Sequence, residues 1–503
     1  MKALFGAQAK FYDIYKSIEE NLPEEILKES IYLVSDSEYF LNNHYELYKK
    51  RPKNLLFEWE LTNLVNELPS NLKEIKERYK KYNLWEAIVC DRRLMYGRHT
   101  KLKQDYSPRF NESELELIIY RTLCAIQSII ENQKPDIVIS TTPSTYAEYL
   151  LYFAAKENNL KYLQLKFTKV KNFIIFSENF GARTPELEDA YIKNLKIDDD
   201  FAKSEAVEFI KQARQSPIKY EGVLKDTSLS LTRRWFAIIR ALIGLLYRSY
   251  SKHRSIIAKD NHVPPIGSNF LYAKLFNNNN KRRSERIINS KSLDLESLQK
   301  EDYIFFPLHS EPEIAISING RQHQNQIELL RQIAQSLPFG WKLIVKEHPK
   351  SLGYRSKNYY KKLLEIPNLY FSRMDIKPFQ IISHSKLVSV ISGFVGFEAA
   401  ILNKPVIYFG EIMFDFLPKT IVRRGNINEL HSQIVNFIQE YKQDEDSIVA
   451  FVAACMQEGV PVNMYSTLLN KPGRVVIGDN QDFDEHLNIL SRHLSDRIRK
   501  IDG

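Results

Sequence analysis

The sequence predicts an α/β protein of two Rossmann-like domains facing a cleft, with a basic helical connector between them. Three observations predict it. From residue 301 onward, short apolar runs alternate with segments of helical period, the pattern of a doubly wound parallel sheet. A looser alternation of the same kind fills residues 1–225. At 503 residues the chain exceeds the length at which one hydrophobic core stops growing, so two domains are expected.

In chain order, "IYLVSD" (31–36) and "EAIVCD" (86–91) read as buried strands ending in acids. "ESELELIIYRTLCAIQSIIEN" (112–132) places its apolar residues at helical spacing. It leads through Lys134-Pro135 into the strand "DIVIS" (136–140), a capped helix in "TTPSTYAEYLLYFAAKENN" and the strand "KYLQL". These make one βαβ unit, whose crossover should be right-handed. Residues 227–254, wound as a helix, put Trp235, Ile238, Ile239, Leu242, Leu245 and Leu246 on one side. Arg233, Arg240, Arg248, Lys252 and Arg254 gather on the other. "NNNNKRRSER" (277–286) reads as a charged loop or hinge.

Beyond it come the strand "DYIFFPL", the helix "NQIELLRQIAQSL", the strand "KLIVK" and the helix "SKNYYKKLLEI". The strand "NLYFS", the short helix "IKPFQIISHS", the strand "KLVSVIS", the helix "VGFEAAILN" and the strand "PVIYFG" complete the series. The tail from 427 is mostly helical. The expected divisions are an N-terminal α/β domain at 1–225, the connector at 226–300, a Rossmann-like domain at 301–440 and a helical tail at 441–503.

The formal charge of +9 is concentrated: residues 223–290 hold 13 Lys/Arg against three Asp/Glu. A basic nucleic-acid binder would spread its charge, and no recognised motif accompanies this segment, so nucleic acid is not an expected partner. The stretch 227–254 is either an interdomain helix with a solvated basic back or a helix lying on an anionic inner-membrane surface or gripping a polyanionic acceptor. Cys90, Cys124 and Cys455 are widely spaced and odd in number. They fit a reducing compartment better than a disulfide framework or a zinc cluster. No signal-peptide core opens the sequence, and no run of about 18 apolar residues occurs, so a cytoplasmic protein is expected.

Three loops of the second domain carry the chemistry, each directly after an expected strand. "FFPLHSEPE" (305–313) supplies His309, Glu311 and Glu313; "KLIVKEHPK" (342–350) supplies Lys346, Glu347 and His348. "VISGFVGFEAA" (390–400) runs through Ser392 and Gly393 into a helix with Gly396 and Glu398. All carboxyl ends of a parallel sheet lie on one edge, where open α/β sheets take ligands, so the loops can converge. The helix start favours a phosphate, and Gly396 allows a close approach. Lys346 and His348 can hold the phosphate's other side, and Glu398 can accept hydrogen bonds from a sugar diol. A carboxylate among His309, Glu311 and Glu313 suits a general base, a nucleophile or electrostatic catalysis. In the first domain, "CDRRLMYG" (90–97) offers Asp91 as an acceptor-side base and Arg92 or Arg93 as a partner for an anionic acceptor, or the three as structural salt bridges.

"PLHSEPE", "KEHP" and "SGFVGFEAAILNKPVIYFG", in that order and spacing, resemble the bacterial capsule and surface-polysaccharide biosynthesis proteins. That family is similar to the capsular Kdo transferases, which have the GT-B glycosyltransferase fold and use CMP-activated sugars. The His-Pro pair also resembles that of bacterial sialyltransferases, where the histidine contacts the CMP phosphate. The resemblance is specific over 301–410 and rests only on "DRRL" and "PDIVIS" in the first domain.

It implies that His348 contacts the donor phosphate, that Ser392, Gly393 and Glu398 line the nucleotide, and that Glu311 or Glu313 sits at the reaction centre. The capsular Kdo transferases more often have Gln and Asp in the first motif, where this chain has His309 and two Glu. The implied protein is a cytoplasmic glycosyltransferase, peripheral at the inner membrane if 227–254 docks there. Its partners would be a nucleotide sugar, preferably a CMP-linked acidic sugar such as Kdo, and a glycan or lipid-linked acceptor. No metal and no cofactor beyond the donor is expected, because a His/Lys pair and a helix start can stabilise a departing monophosphate. The alternatives are a CDP-glycerol-type polyol-phosphate transferase, a UDP-sugar epimerase of the same architecture, and a non-enzymatic polysaccharide assembly or binding protein.

Overall fold

Among the described residues, fourteen strands divide between two sheets, and most of them coincide with apolar runs of the sequence. In chain order they are β1 Lys2–Gln8, β2 Glu29–Ser35, β3 Leu55–Phe57, β4 Ile137–Thr141, β5 Lys161–Phe167, β6 Phe173–Ser177 and β7 Ser292–Leu293. There follow β8 Tyr303–Pro307, β9 Lys342–Lys346, β10 Leu369–Ser372, β11 Leu387–Val390, β12 Val406–Tyr408, β13 Val422–Arg424 and β14 Val460–Pro461. The computed structural model describes residues 1–503 apart from 63–70, 98–99, 101–103, 197–199, 223–238, 240–242, 244–267, 312, 350, 480–481 and 503.

The first compact unit comprises Met1–Phe180, Lys219–Lys274 and Val460–Gly503. Its sheet runs β14-β6-β5-β4-β1-β2-β3, with β5, β4, β1, β2 and β3 mutually parallel and β6 and β14 antiparallel additions at one edge. The middle strand of the five parallel ones is β1, "KALFGAQ", whose continuous burial is that of a strand covered on both faces. Phe5 stacks on Tyr15 at 4.7 Å and on Tyr32 at 5.4 Å. The C-terminal helix Phe483–Asp502 returns to this unit and lays Leu487, Leu490, Leu494 and Ile498 into the same core, at helical spacing.

The second unit comprises Gly181–Ile218 and Leu275–Gly459. Its sheet is wholly parallel, in the order β13-β12-β11-β8-β9-β10-β7. Leu387 pairs with Ile304 and Phe306 with Val345, so β11, β8 and β9 end side by side on one edge. The expected strands and helices of this region all form, and the crossover helices cover apolar strands as a doubly wound sheet requires.

Two local expectations are corrected. "EAIVCD" is not a strand: Trp85–Cys90 is a helix, and it buries Ala87, Ile88 and Cys90. A short apolar run does not separate the two periods by itself, and here packing chose the helical one. The "NNNNKRRSER" stretch is not a loop, because the helix Ser268–Asn289 runs through it. Ile288, fully buried in the second core, anchors that helix at its end. The amphipathic stretch 227–254 lies outside the described residues, except Ile239 and Ile243. Among the described residues no helix is long and apolar enough to cross a membrane.

Because Leu490 is fully buried beneath β-strands far away in sequence, Leu490→Ala should destabilise the first unit by about 2–5 kcal/mol. A urea midpoint unchanged from wild type would show that the C-terminal helix is not docked there.

Candidate functional site

At the shared carboxyl edge of β11, β8 and β9, the three motif loops meet around His309. The chain leaves β11 through buried Ser392 and Gly393, which precedes the helix Phe394–Ile401. Gly393 has φ +148°, and a Cβ there would lie 3.2 Å from His309 Cε1. Only glycine serves at such a backbone angle and approach. On its other flank His309 feels the charge of His348, from the loop after β9. Burial, then the positive charge of His348 and Arg355, lower the His309 pKa to about 4, so its ring is neutral at physiological pH. Its Nε2 is closed to solvent and has no hydrogen-bond partner, although the residue as a whole is half-buried.

A buried guanidinium holds the loops after β8 and β9 in place. Arg355 has no exposed side-chain surface; its Nε lies 3.1 Å from Glu347 Oε2 and its Nη1 lies 3.0 Å from Glu311 Oε1. It also donates to the His309 carbonyl and stacks on Tyr359 at 4.4 Å. Gln326 joins the same loop by accepting from the His309 N–H at 2.9 Å and donating to its carbonyl at 3.1 Å. Glu347 in turn accepts from the His348 N–H at 2.6 Å. Neighbouring carboxylates push the Arg355 pKa upward, so its charge is permanent. Arg355, Gln326 and Tyr359 escaped the sequence reading, since nothing in "SLGYRSKNYY" marks one arginine as buried.

The other expected residues divide. Glu311 is committed to Arg355 and Gln326, whereas Glu313 is exposed and its carbonyl receives the N–H groups of Ile316 and Ser317. Lys346 ends β9, but its ammonium is directed to the carbonyls of Arg373 and Met374 beyond β10, at 3.3 and 3.4 Å. Burial lowers its pKa to about 8. The structure therefore does not bring Lys346 to the His309 cluster. Gly396 serves helix-to-sheet packing, since a Cβ there would meet Phe414 and Val390 at 3.2 Å. Glu398, half-buried one turn into the same helix, has its pKa raised by burial to about 7.

In the first unit Asp91 is fully buried and caps the helix Arg92–Met95. Its oxygens receive Arg93 N and Nε, at 2.9 and 2.7 Å, and the Tyr146 N–H at 3.0 Å. Arg93 also pairs with buried Glu58. The structure thus places Asp91 in a structural ion-pair network. Sequence reasoning passed over the more perturbed acids nearby. Burial raises Glu58 to about 7 and Glu148 to about 8. Glu148 accepts from the Ser144 N–H at 3.0 Å, while its Oε1 is buried without a partner.

Residues 207–432 match the family described as capsule polysaccharide biosynthesis protein. No individually curated protein matches the sequence. Among solved structures, the β-Kdo 2,7 transferase KpsC of Thermosulfurimonas dismutans is similar at 13% identity, over 70% of this chain and 86% of that one, with a TM-score of 0.30. The β-Kdo 2,4 transferase of the same organism is similar at 13% identity over 72% and 87%, TM-score 0.32. The UDP-GlcNAc 2-epimerase of Methanocaldococcus jannaschii is similar at 15% identity over 88% and 94%, TM-score 0.23.

Arg355→Met leaves buried Glu347 without its counter-charge, takes one partner from Glu311, and should cost about 3–5 kcal/mol in denaturant unfolding, with Arg355→Lys losing less. In whichever variant folds, the His309 ring, read by NMR titration, should protonate at a higher pH than in wild type, because an adjacent positive charge is gone or moved. Glu148 stays protonated up to about pH 8 when folded but ionises near 4.5 when unfolded, so wild type loses stability as pH rises through that window. Glu148→Gln removes that loss and should gain about 2–4 kcal/mol over wild type at high pH, with no gain in acid. Parallel pH profiles for variant and wild type would contradict it.

Proposed function

We propose that this chain, whose residues 207–432 belong to the capsule polysaccharide biosynthesis family, is a glycosyltransferase that holds a nucleotide-sugar donor at the second unit's sheet edge. The observation that carries this reading is the meeting of three strand-end loops at His309, next to a glycine-started helix. A phosphate placed at Gly393 meets the helix's positive end, the His348 ring and a neutral His309 able to donate one N–H. Glu398, poised near neutrality, is suited to a ribose diol, as acceptor or donor of a hydrogen bond. Glu311 is tied to Arg355, so Glu313, exposed on the same loop, is the acid we assign to the reaction centre.

The donor we favour is a CMP-linked acidic sugar, because a departing monophosphate carries charge that the His348 ring, an N–H of neutral His309 and a helix start can stabilise without a metal. The acceptor is then a glycan or a lipid-linked glycan, and the basic stretch 227–254 is suited to bringing the protein to an anionic inner-membrane face.

A thermal-shift screen against CMP, CDP, UDP and GDP tests the reading. One nucleotide should raise the melting temperature, equivalent to about 2.7 kcal/mol at a hundredfold excess over Kd. His348→Ala should weaken that shift. Glu313→Gln should keep the shift and lose transfer, and transfer should survive a chelator. A screen in which no nucleotide binds rejects the donor site, and a product heavier by a polyol phosphate instead of a sugar moves the protein to the CDP-glycerol class.

A further inference from the structure

We infer that the first unit carries a binding site for an acidic glycan, where the β5–β6 hairpin loop, the segment Lys219–Gly222 and the turn Met464–Leu468 come together. The choice of a glycan over other anions rests on the polysaccharide reading above; the site itself rests on its geometry. Phe167, the last residue of β5, stacks on Tyr465 at 4.9 Å, forming a half-buried aromatic slab at the sheet's carboxyl edge. Lys169 lies over Phe167 at 5.3 Å and over Tyr220 at 4.9 Å. Lys471 and Arg474 both lie over the Tyr465 ring, at 4.9 and 5.8 Å.

Two cations on one ring repel each other. Burial and the neighbouring Arg474 together lower the Lys471 pKa, and the pull of Glu221 in the other direction does not offset them. Glu221 is itself turned inward, its Oε1 accepting from Ser466 N at 2.7 Å and Oγ at 2.9 Å. An anion laid across the slab would relieve that crowding.

The scaffold under these side chains is tightly built. Glu221 N donates to the Lys171 carbonyl at 3.0 Å, and Arg474 Nη1 donates to the Gly222 carbonyl at 2.6 Å. Gly222 has φ +87°, and a Cβ there would lie 2.4 Å from the Tyr465 ring, so the segment is pressed against the aromatic face. Lys169 and Lys171 both take left-handed backbone angles, φ 64° and 48°, which cost more for lysine than for glycine or asparagine. Met464–Leu468 is a widened π-type turn, a rare element that recurs at functional sites. The partly exposed rings of Phe167, Tyr220 and Tyr465 offer apolar contact to sugar C–H groups at their open edges, and the surrounding ammonium and guanidinium groups offer partners to carboxylates. A chain of carboxylated sugars satisfies both demands at once, and a neutral glycan or a bare polyanion satisfies only one.

The test is a fluorescence titration of the full chain, at physiological salt, with oligogalacturonate, dextran and polyphosphate as probes. Oligogalacturonate should bind and dextran should not. Lys169→Gln/Lys471→Gln should weaken oligogalacturonate by about tenfold or more, the size of lost charged hydrogen bonds, with an unchanged melting temperature. If that pair does not fold, Lys471→Gln alone carries the test. Tyr220→Leu should weaken oligogalacturonate and leave polyphosphate unaffected. Variants that bind like wild type, or polyphosphate bound as tightly as oligogalacturonate with Tyr220→Leu silent, would overturn the site. The assay needs neither nucleotide nor turnover, so its failure is distinguishable from failure of the donor site.

Discussion

Arg355 can neither give up its proton nor sit unpaired without solvent, and the geometry of the second unit's rim follows from that. Two carboxylates must reach it, and they arrive from different loops: Glu347 after β9 and Glu311 after β8. Once both are engaged, little freedom is left in either loop. The His309 carbonyl is held by the same guanidinium, and the His348 N–H is held by Glu347. Two histidines set far apart in the chain are thereby fixed beside each other before any ligand arrives, the preorganisation that makes electrostatic stabilisation effective.

The first unit uses the same device in a different place. Arg93 ties Asp91, which caps one helix and receives the first N–H of the helix Tyr146–Glu157, to Glu58 just after β3. In both units a single arginine gathers acids from separate segments at the carboxyl rim of a parallel sheet. The first unit has an acid left over: Glu148 shares the buried region without a cation of its own and is uncharged at neutral pH. The second has a base left over, since His309 is neutral with a closed-off ring nitrogen. Buried groups of this kind are costly to keep, which is why they concentrate where chemistry or binding occurs.

Legibility in the sequence varied with how local the determining interaction was. The alternation from "DYIFFPL" to "PVIYFG" was readable because each strand there is apolar on both faces and each crossover helix keeps its own period. "EAIVCD" misled because a four-residue apolar run fits either period, and contact with a later helix decided between them. The asparagine-rich stretch misled because its helix is held by Ile288 in the second core, not by local propensity. Among the expected site residues, His309 and Gly393 come together because both follow readable strands that end on one edge. Lys346 also ends a readable strand, yet its long side chain turned toward β10, a choice that strand position does not determine.

The sequence alone determined the class of the fold, the parallel character of the second sheet and the three loops at its rim, since these depend on apolar periodicity and on breakers such as Pro349 and Gly393. Tertiary structure decided which polar groups are buried and which partners they take. It turned Asp91 and Glu311 into structural partners of buried arginines, left Glu313 exposed, and returned the C-terminal helix to the first core. The physical reason is that pairing depends on which distant segment supplies the counter-charge and how much water is excluded. Both are properties of the assembled chain.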